Sequence, residues 1–385
     1  MWEDGFTSFV TLEIAWSHAL QRKPNKKLYL IPVLSKALDI LELLQQEGQP
    51  MTLEAIHRFT GTSKTTVYRI LKTFVHRGYL SHGADGTYRH VSVPKKLRFG
   101  FAGQSAEMPF SVEVTESLQA AALAAGVDLM ILDNRYDART AVRNAEKFVE
   151  NKVDLVIEFQ VEQEVAPVIA DLIAAADIPL IAIDIPHPRA TFFGVDNYRV
   201  GVEAGEQLAL HAEHSWKGKV GWVLGLDLVE AGPLVQSRIT GAFEAIRKMY
   251  PEIAVEKFVR LDGRGMREVS RDLVYQFLES HPEDKHILIA AATDSSGLGA
   301  VDAVRDQKRE RWVAVMGQDC IADAVKEMRR KNSPLIGTVS HETSTYGPNL
   351  INLGLSLLRG QMVAPYNYVV HRVVTRSTHL AEAAG

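Results

Sequence analysis

Apolar residues recur at helical spacing near the front of the chain and in unbroken runs behind it. Leu34, Leu38, Leu41 and Leu44, with Ala37 beside them, mark one face of a helix that Glu47-Gly48 stops, and Pro50 then breaks the chain. Thr52 is suited to cap a second helix that buries Leu53, Ile56 and Phe59, and Gly61 suits the left-handed position after its last turn. Ser63 is a further N-cap signal, and a third helix from Lys64 to Arg77 turns Val67, Ile70, Leu71 and Phe74 inward. Gly78 ends it. Two short extended pieces follow, Tyr79–His82 and Thr87–Val91, joined by Gly83-Ala84-Asp85-Gly86, whose Asp-Gly pair supplies the positive φ of a hairpin turn. Three helices and a hairpin predict a winged helix-turn-helix over residues 33–92.

After Pro94-Lys95-Lys96 the pattern changes to apolar strands alternating with amphipathic helices. Strands are expected at Leu97–Ala102, Asp128–Leu132, Leu155–Phe159, Leu180–Ile183, Val220–Leu224, His286–Ala291, Val313–Met316 and Leu335–Val339. Helix-length segments separate most of them, so the fold class is α/β, with parallel, doubly wound sheets over residues 97–375. In such sheets ligands bind beyond the carboxyl ends of the strands. Residues 1–30 are expected to be a flexible arm or a short helix from Leu12 to Gln21, and the tail after Ser377 to be frayed.

Composition narrows the function. The chain has 385 residues, 46% hydrophobic and 23% charged, which suits a soluble globular protein of two or three units. Cys320 is the sole cysteine, so an intrachain disulfide framework and a thiolate zinc finger are excluded and a cytoplasmic location is expected. Residues 1–20 lack a basic start and an apolar run, so they do not resemble a signal peptide, and no membrane span is expected. Net charge is −4, but Val33 to Lys96 hold nine Lys or Arg against five Asp or Glu. A basic module on an acidic body is expected where only the module meets phosphate.

The outward side of the third helix carries the candidate chemistry. Ser63, Lys64, Thr65, Thr66, Tyr68, Arg69 and Lys72 lie on its first turns and outer face, where backbone N–H groups and polar side chains of a recognition helix meet DNA. Arg89 on the hairpin is placed to reach a neighbouring phosphate or the minor groove. The segments Ser35 to Leu41, Ser63 to Lys72 and Arg77 to Leu80 resemble the winged helix of IclR-type regulators, which implies a double-stranded DNA operator as partner. A protein-interaction module of the same shape is the alternative.

In the long region, polar residues cluster at strand ends. Gln104 to Phe110 follow the first strand, Asp184 ends the fourth, Thr293-Asp294 and Asp319 close later ones, and His341 follows Val339. Carboxylates and amides converging on one cleft, with an aromatic cover, suit a sugar or polyol. Each has a plainer reading: Phe110 as core, Asp184 or Asp319 as a helix cap, His341 as a loop residue, and Trp222 as core. The segments Met108-Pro109-Phe110, Pro179 to Asp184, Val195-Asp196-Asn197, Thr293-Asp294 and Gly317-Gln318-Asp319 resemble, in order, the type I periplasmic-binding fold and the effector domain of LacI-type repressors. That resemblance implies two hinged lobes, roughly 97–197 with 342–365 and 198–341 with 366–375. It also places Asp196 and Asn197 at the first crossing. Ligand contacts are expected at Gln104, Phe110, Asp184, Gln236, Thr293, Asp319 and His341. Ile185 and Gln236 stand where ribose-type sites carry arginines, which argues against ribose itself and for another sugar, a polyol or a less hydroxylated molecule.

His341-Glu342, Asp184 and Asp319 invite a catalytic reading, but no nucleophile elbow or phosphate loop accompanies them. Gly297-Leu298-Gly299 lacks the rest of a dinucleotide fingerprint, and His211 and His214 lie on a surface helix. No enzyme, metal or cofactor is expected. The expected function is a ligand-responsive transcriptional regulator, a homodimer because one recognition helix covers too few base pairs. A solute-binding protein with an unrelated leader is the alternative. The short link Ser92–Lys96 with Pro94 leaves no room for a hinge helix, so ligand would have to act by displacing the winged domains as rigid bodies.

Overall fold

In the computed structural model, residues 31–91 and 96–376 are described, and the chain divides into two compact units after Lys95. The expectations for residues 1–30, for most of the Ser92–Lys96 link and for the tail after Ser377 lie outside the described residues.

The first unit holds α1 (Pro32–Glu47), α2 (Leu53–Thr60) and α3 (Lys64–His76), with the short strands β1 (Met51–Thr52), β2 (Leu80–His82) and β3 (Thr87–His90). Gly48 and Gly61 close the first two helices at φ 63° and 62°, a conformation in which a side chain would be strained. The Thr52 hydroxyl caps α2 by accepting the Ala55 N–H. The sheet order is β1-β3-β2, antiparallel; β1 was not anticipated and pairs Met51-Thr52 with Thr87-Tyr88. Ile40, Leu44, Ile56, Val67, Leu71, Leu80 and Tyr88 form the core. Two expectations are corrected. Leu34 and Leu38 stay about half exposed because α1 instead turns Ala37, Ile40, Leu41 and Leu44 inward, and Phe59 points to solvent. In the hairpin turn only Gly86 takes a positive φ, 75°; Asp85 contributes its carboxylate instead, accepting both the backbone N–H and the hydroxyl of Thr87.

The second unit has two lobes. The first contains β4 (Arg98–Gly103), α4 (Pro109–Ala125), β5 (Asp128–Asp133), α5 (Ala138–Glu150), β6 (Leu155–Glu158), α6 (Ala166–Ala175), β7 (Leu180–Ile183) and β8 (Thr191–Gly194). The chain then crosses through Val195–Asn197 into α7 (Asn197–Trp216), β9 (Trp222–Asp227), α8 (Gly232–Met249), β10 (Phe258–Asp262) and α9 (Arg267–Ser280). The second lobe continues with β11 (Ile287–Ala291), α10 (Asp294–Asp306), β12 (Val313–Asp319), α11 (Ala322–Met328) and β13 (Leu335–Ser340). α12 (Tyr346–Leu358) and β14 (Tyr366–Tyr368) return to the first lobe, and β15 (Arg372–Thr375) closes the second.

Each lobe is a six-stranded sheet, β14-β8-β7-β6-β4-β5 and β10-β9-β11-β12-β13-β15. All pairings are parallel except β15 against β13. Buried on both faces, the central strands read as continuous apolar runs, which is why they were recognisable. Because β14 pairs with β8, residues 366–368 belong to the first lobe, and the third crossing falls later than expected, between Tyr368 and Arg372. Asp196 caps α7 by accepting the Arg199 N–H at 3.1 Å.

Candidate functional site

Residues that follow strands of both sheets line one cavity between the lobes. Gln104 follows β4, Phe159 and Gln160 follow β6, Asp184 follows β7, Leu228 follows β9, and Thr293 and Asp319 come from the ends of β11 and β12. The space is small, ≈ 60 Å³ counted as room for water centres, several times what one water needs. The lobes touch at its rim, where the Tyr136 hydroxyl of the first donates to the Arg264 carbonyl of the second at 3.0 Å.

The two acids of the wall occupy unusual backbone. Asp184 has φ 59° and Asp319 φ 108°, values sparsely adopted by residues with a side chain and commonest where function fixes the chain. Both are buried. Asp184 Oδ1 has no partner among the described residues. Burial pushes the Asp184 carboxyl above its ordinary range, against the pull of Arg238. Burial also raises Asp319 well up, and the carboxylate of Asp294 behind it adds to the rise. Asp294 itself is pushed up to about 7, chiefly by burial. Its Oδ2 accepts the Ile321 N–H at 2.9 Å, and Ile321 is the residue that caps α11, so Asp319 does not cap that helix. Nor does a helix follow Asp184 directly.

Arg238, which sequence reasoning passed over, is the cation of the site. Val235 and Arg238 stand at helical spacing on the face of α8 that lines the cavity, with Ala231 just before its first turn. The guanidinium is held at Nε by Asn197 Oδ1 (2.7 Å) and at one terminal nitrogen by the Ala292 carbonyl (2.9 Å). Gln236, two positions earlier, is turned away. Its amide donates to Val229 O at 3.1 Å, and Arg238 rather than Gln236 lines this cavity.

The other expected positions sort by geometry. Gln104, Phe110, Asp184, Thr293 and Asp319 line the cavity. The Thr293 hydroxyl also caps α10 by accepting the Ser296 N–H. His341 is not in the wall; it is wholly buried behind Phe110, ring centroids 5.7 Å apart, with Nε2 3.2 Å from Gln318 Oε1. Burial holds its imidazole well below the usual pKa, so it is neutral packing against the site. Phe110 serves both readings, as core against Phe159 and Tyr346 and as cavity wall. Gln160 was missed: it is buried in the wall, and neither its amide oxygen nor its nitrogen has a partner among the described residues. Trp222 lies at the other end of its strand, bonded to Asp284 and covered by Lys257.

In the first unit, α3 presents Ser63, Lys64, Thr65, Tyr68, Arg69 and Lys72 to solvent, with Thr66 half-buried, and Arg89 is exposed on β3. Ser63 stands at the N-cap, but its hydroxyl pairs with Thr66 Oγ1 at 2.9 Å and leaves the first backbone N–H groups without a side-chain cap. Lys64 is paired with Glu54 at 2.7 Å, and Lys72 lies 5.7 Å from the Tyr68 ring centre. Free N–H groups and cations on one exposed face are what a phosphate backbone requires.

Among the described residues, no three His, Cys, Asp or Glu come together as metal ligands, and no helix is long and apolar enough to cross a membrane.

A family model for a periplasmic binding protein domain matches residues 99–362, and one for an IclR helix-turn-helix domain matches residues 33–83. A D-ribose/D-allose-binding protein of Pseudomonas aeruginosa is 27% identical over 290 residues, covering 71% of this chain and 85% of that protein. An ABC transporter solute-binding protein of Mycobacterium smegmatis, solved with bound glycerol, is 21% identical with a TM-score of 0.66, covering 74% of this chain and 96% of that one. A periplasmic solute-binding protein of Actinobacillus succinogenes, solved with bound D-allose, is 20% identical with a TM-score of 0.65, covering 74% and 100%. At these identities the two structures establish a shared fold.

Proposed function

Because the chain belongs to the periplasmic binding protein domain family and carries an IclR-type helix-turn-helix ahead of that domain, we propose that it is a sugar-responsive transcriptional regulator. Ser63, Lys64, Thr65, Thr66, Tyr68, Arg69, Lys72 and Arg89 bind operator DNA. A small hydroxylated molecule binds between the lobes, against Gln104, Phe110, Gln160, Asp184, Arg238, Thr293 and Asp319. The second domain acts as effector domain in the manner of LacI-type repressors, the protein works as a homodimer, and it resides in the cytoplasm with its DNA. Ligand changes operator affinity by binding two states of the protein unequally.

One observation carries this reading: a helix whose exposed face is polar and basic shares a chain with a closed cavity whose walls hold unpartnered amide and carboxylate atoms. Groups of that kind cost stability when left unpaired, so a ligand that bonds them recovers that cost. The relatives bind D-ribose or D-allose and glycerol, which supports a hydroxylated ligand.

The test is selection of genomic fragments by the purified protein, followed by titration of the selected duplex with and without sugars and polyols. A duplex bound specifically, with affinity altered by one of them, supports the regulator. Sugar binding without any duplex preference would leave a solute-binding protein and contradict it.

A further inference from the structure

The cavity is not balanced in charge. Among the described residues, the charged side chains that line it are Asp184, Asp319 and Arg238, two acids against one base, and Asp294 lies buried directly behind Asp319. The nearby arginines are committed elsewhere, Arg260 to Asp227 and Arg264 to Glu230. His341 Nδ1 lies 3.5 Å from Asp319 Oδ1, and burial holds its imidazole well below its usual range. Arg238 is itself partly spent on Asn197 and Ala292. Burial pushes the carboxyls of Asp184, Asp319 and Asp294 above their ordinary range, and a cation brought in beside them would favour their ionised forms.

Among the described residues, the buried cavity atoms without partners are Asp184 Oδ1 and both amide atoms of Gln160, so an acceptor stands unbonded on each lobe-one loop and the Gln160 amide nitrogen adds donors beside them. A sugar acid or sugar phosphate would bring a further anion beside carboxyls that burial already holds above their ordinary range. A neutral polyol would supply donors but nothing to favour the ionised carboxylates. A protonated amine supplies three donors, no acceptor and one positive charge, and the hydrogen bonds it donates to a carboxylate are about twice as strong as bonds between neutral groups.

We infer that the ligand of this cavity is an amino sugar or amino polyol whose ammonium group faces Asp184 and Asp319, with its hydroxyls toward Gln160 and Arg238. The inference rests on the sugar-sensing reading and narrows it from hydroxylated molecules in general to cationic ones. Arg238 then grips the hydroxylated end, and its two protein hydrogen bonds fix the direction in which its remaining nitrogen points.

Calorimetric titration of the full chain at pH 7 with matched pairs tests this: glucosamine against glucose, galactosamine against galactose, mannosamine against mannose, and 2-amino-1,3-propanediol against glycerol. N-acetylglucosamine serves as the form that keeps the nitrogen and loses the charge. The amino member of at least one pair is expected to bind about tenfold or more tighter than its hydroxyl partner. Asp319→Asn or Asp184→Asn should erase that difference while leaving the unfolding temperature close to that of the unaltered protein. Equal or tighter binding of the hydroxyl members would overturn the cationic ligand and spare the sugar sensor. Binding of no member of any pair would overturn both.

Discussion

Gly201 of α7 lies so close to Arg238 of α8 that a Cβ there would stand 2.0 Å from the Arg238 carbonyl oxygen. Gly205, one turn further along α7, meets Ala242 in the same way, with a Cβ falling 2.4 Å from that carbonyl. The two glycines let the helices approach backbone to backbone, and α7 also supplies Asn197, which holds the guanidinium. Gly201→Ala must therefore push α8 aside and carry Arg238 with it. We expect a loss of about 1–3 kcal/mol in unfolding free energy, as overpacking of a tight interface costs, together with weakened ligand binding. Urea unfolding and calorimetry check the two effects separately.

Asp184 holds a left-handed backbone, which asparagine tolerates better than alanine. Asp184→Asn keeps the local chain and removes the charge. The expected outcome is loss of the ligand response with unchanged operator binding in the absence of ligand, measured by fluorescence anisotropy of a labelled duplex. An unaltered ligand response would remove Asp184 from the binding site.

Arg69 and Lys64 differ in their surroundings, since Lys64 is already paired with the Glu54 carboxylate and, among the described residues, no such pairing is seen for Arg69. Arg69→Ala should weaken operator binding and lower the slope of log affinity against log salt by about 0.9 for a lost phosphate contact. Lys64→Ala should act in the same direction with a smaller effect. Binding measured across a salt series decides whether either residue touches phosphate.

Glu158 gives the first lobe a pH dependence. It is fully buried, Oε1 accepts the Asn134 amide at 2.7 Å, and Oε2 has no partner among the described residues. Burial pushes its carboxyl up to about 8. The folded state then holds a proton that the unfolded chain releases near pH 4.5, so this contribution to stability is fully present below pH 4.5 and is lost as pH rises toward 8. Glu158→Gln, which never ionises, should flatten that decline and raise the melting temperature at pH 8 by on the order of a few degrees, with little change at pH 5. Thermal unfolding at the two values checks the sign.

The sequence disclosed the architecture where one rule acted alone. Strands such as Leu155–Glu158 and Leu180–Ile183 are buried on both faces and read as unbroken apolar runs, and Asp184 and Asp319 were found because they end such runs. β10 escaped because Arg260 and Asp262 break its apolar pattern on a sheet edge, and β14 and β15 are short edge strands whose pairing is settled only by the tertiary fold. Arg238 escaped for a different reason. Arg238 shares the buried stripe of α8 with Val235, Ile239, Ala242 and Ile246, a spacing that could have separated it from Gln236, but how far that stripe reaches into the cleft depends on how Gly201 and Gly205 seat the helix. Gln160 carries no motif at all; its role follows from unbonded amide atoms in a closed wall. His341 had the right place in the sequence but lies one layer behind the site, with Phe110 between it and the cavity.

The central claim is that one chain both reads DNA and responds to a molecule held at Asp184, Arg238 and Asp319. The most direct measurement is the affinity of the full chain for a selected duplex at fixed salt, with and without saturating cavity ligand, in the unaltered protein and in Asp184→Asn. A change of about tenfold or more on adding ligand, absent in the variant, is the predicted result. Duplex affinity that is independent of both sequence and ligand would contradict it.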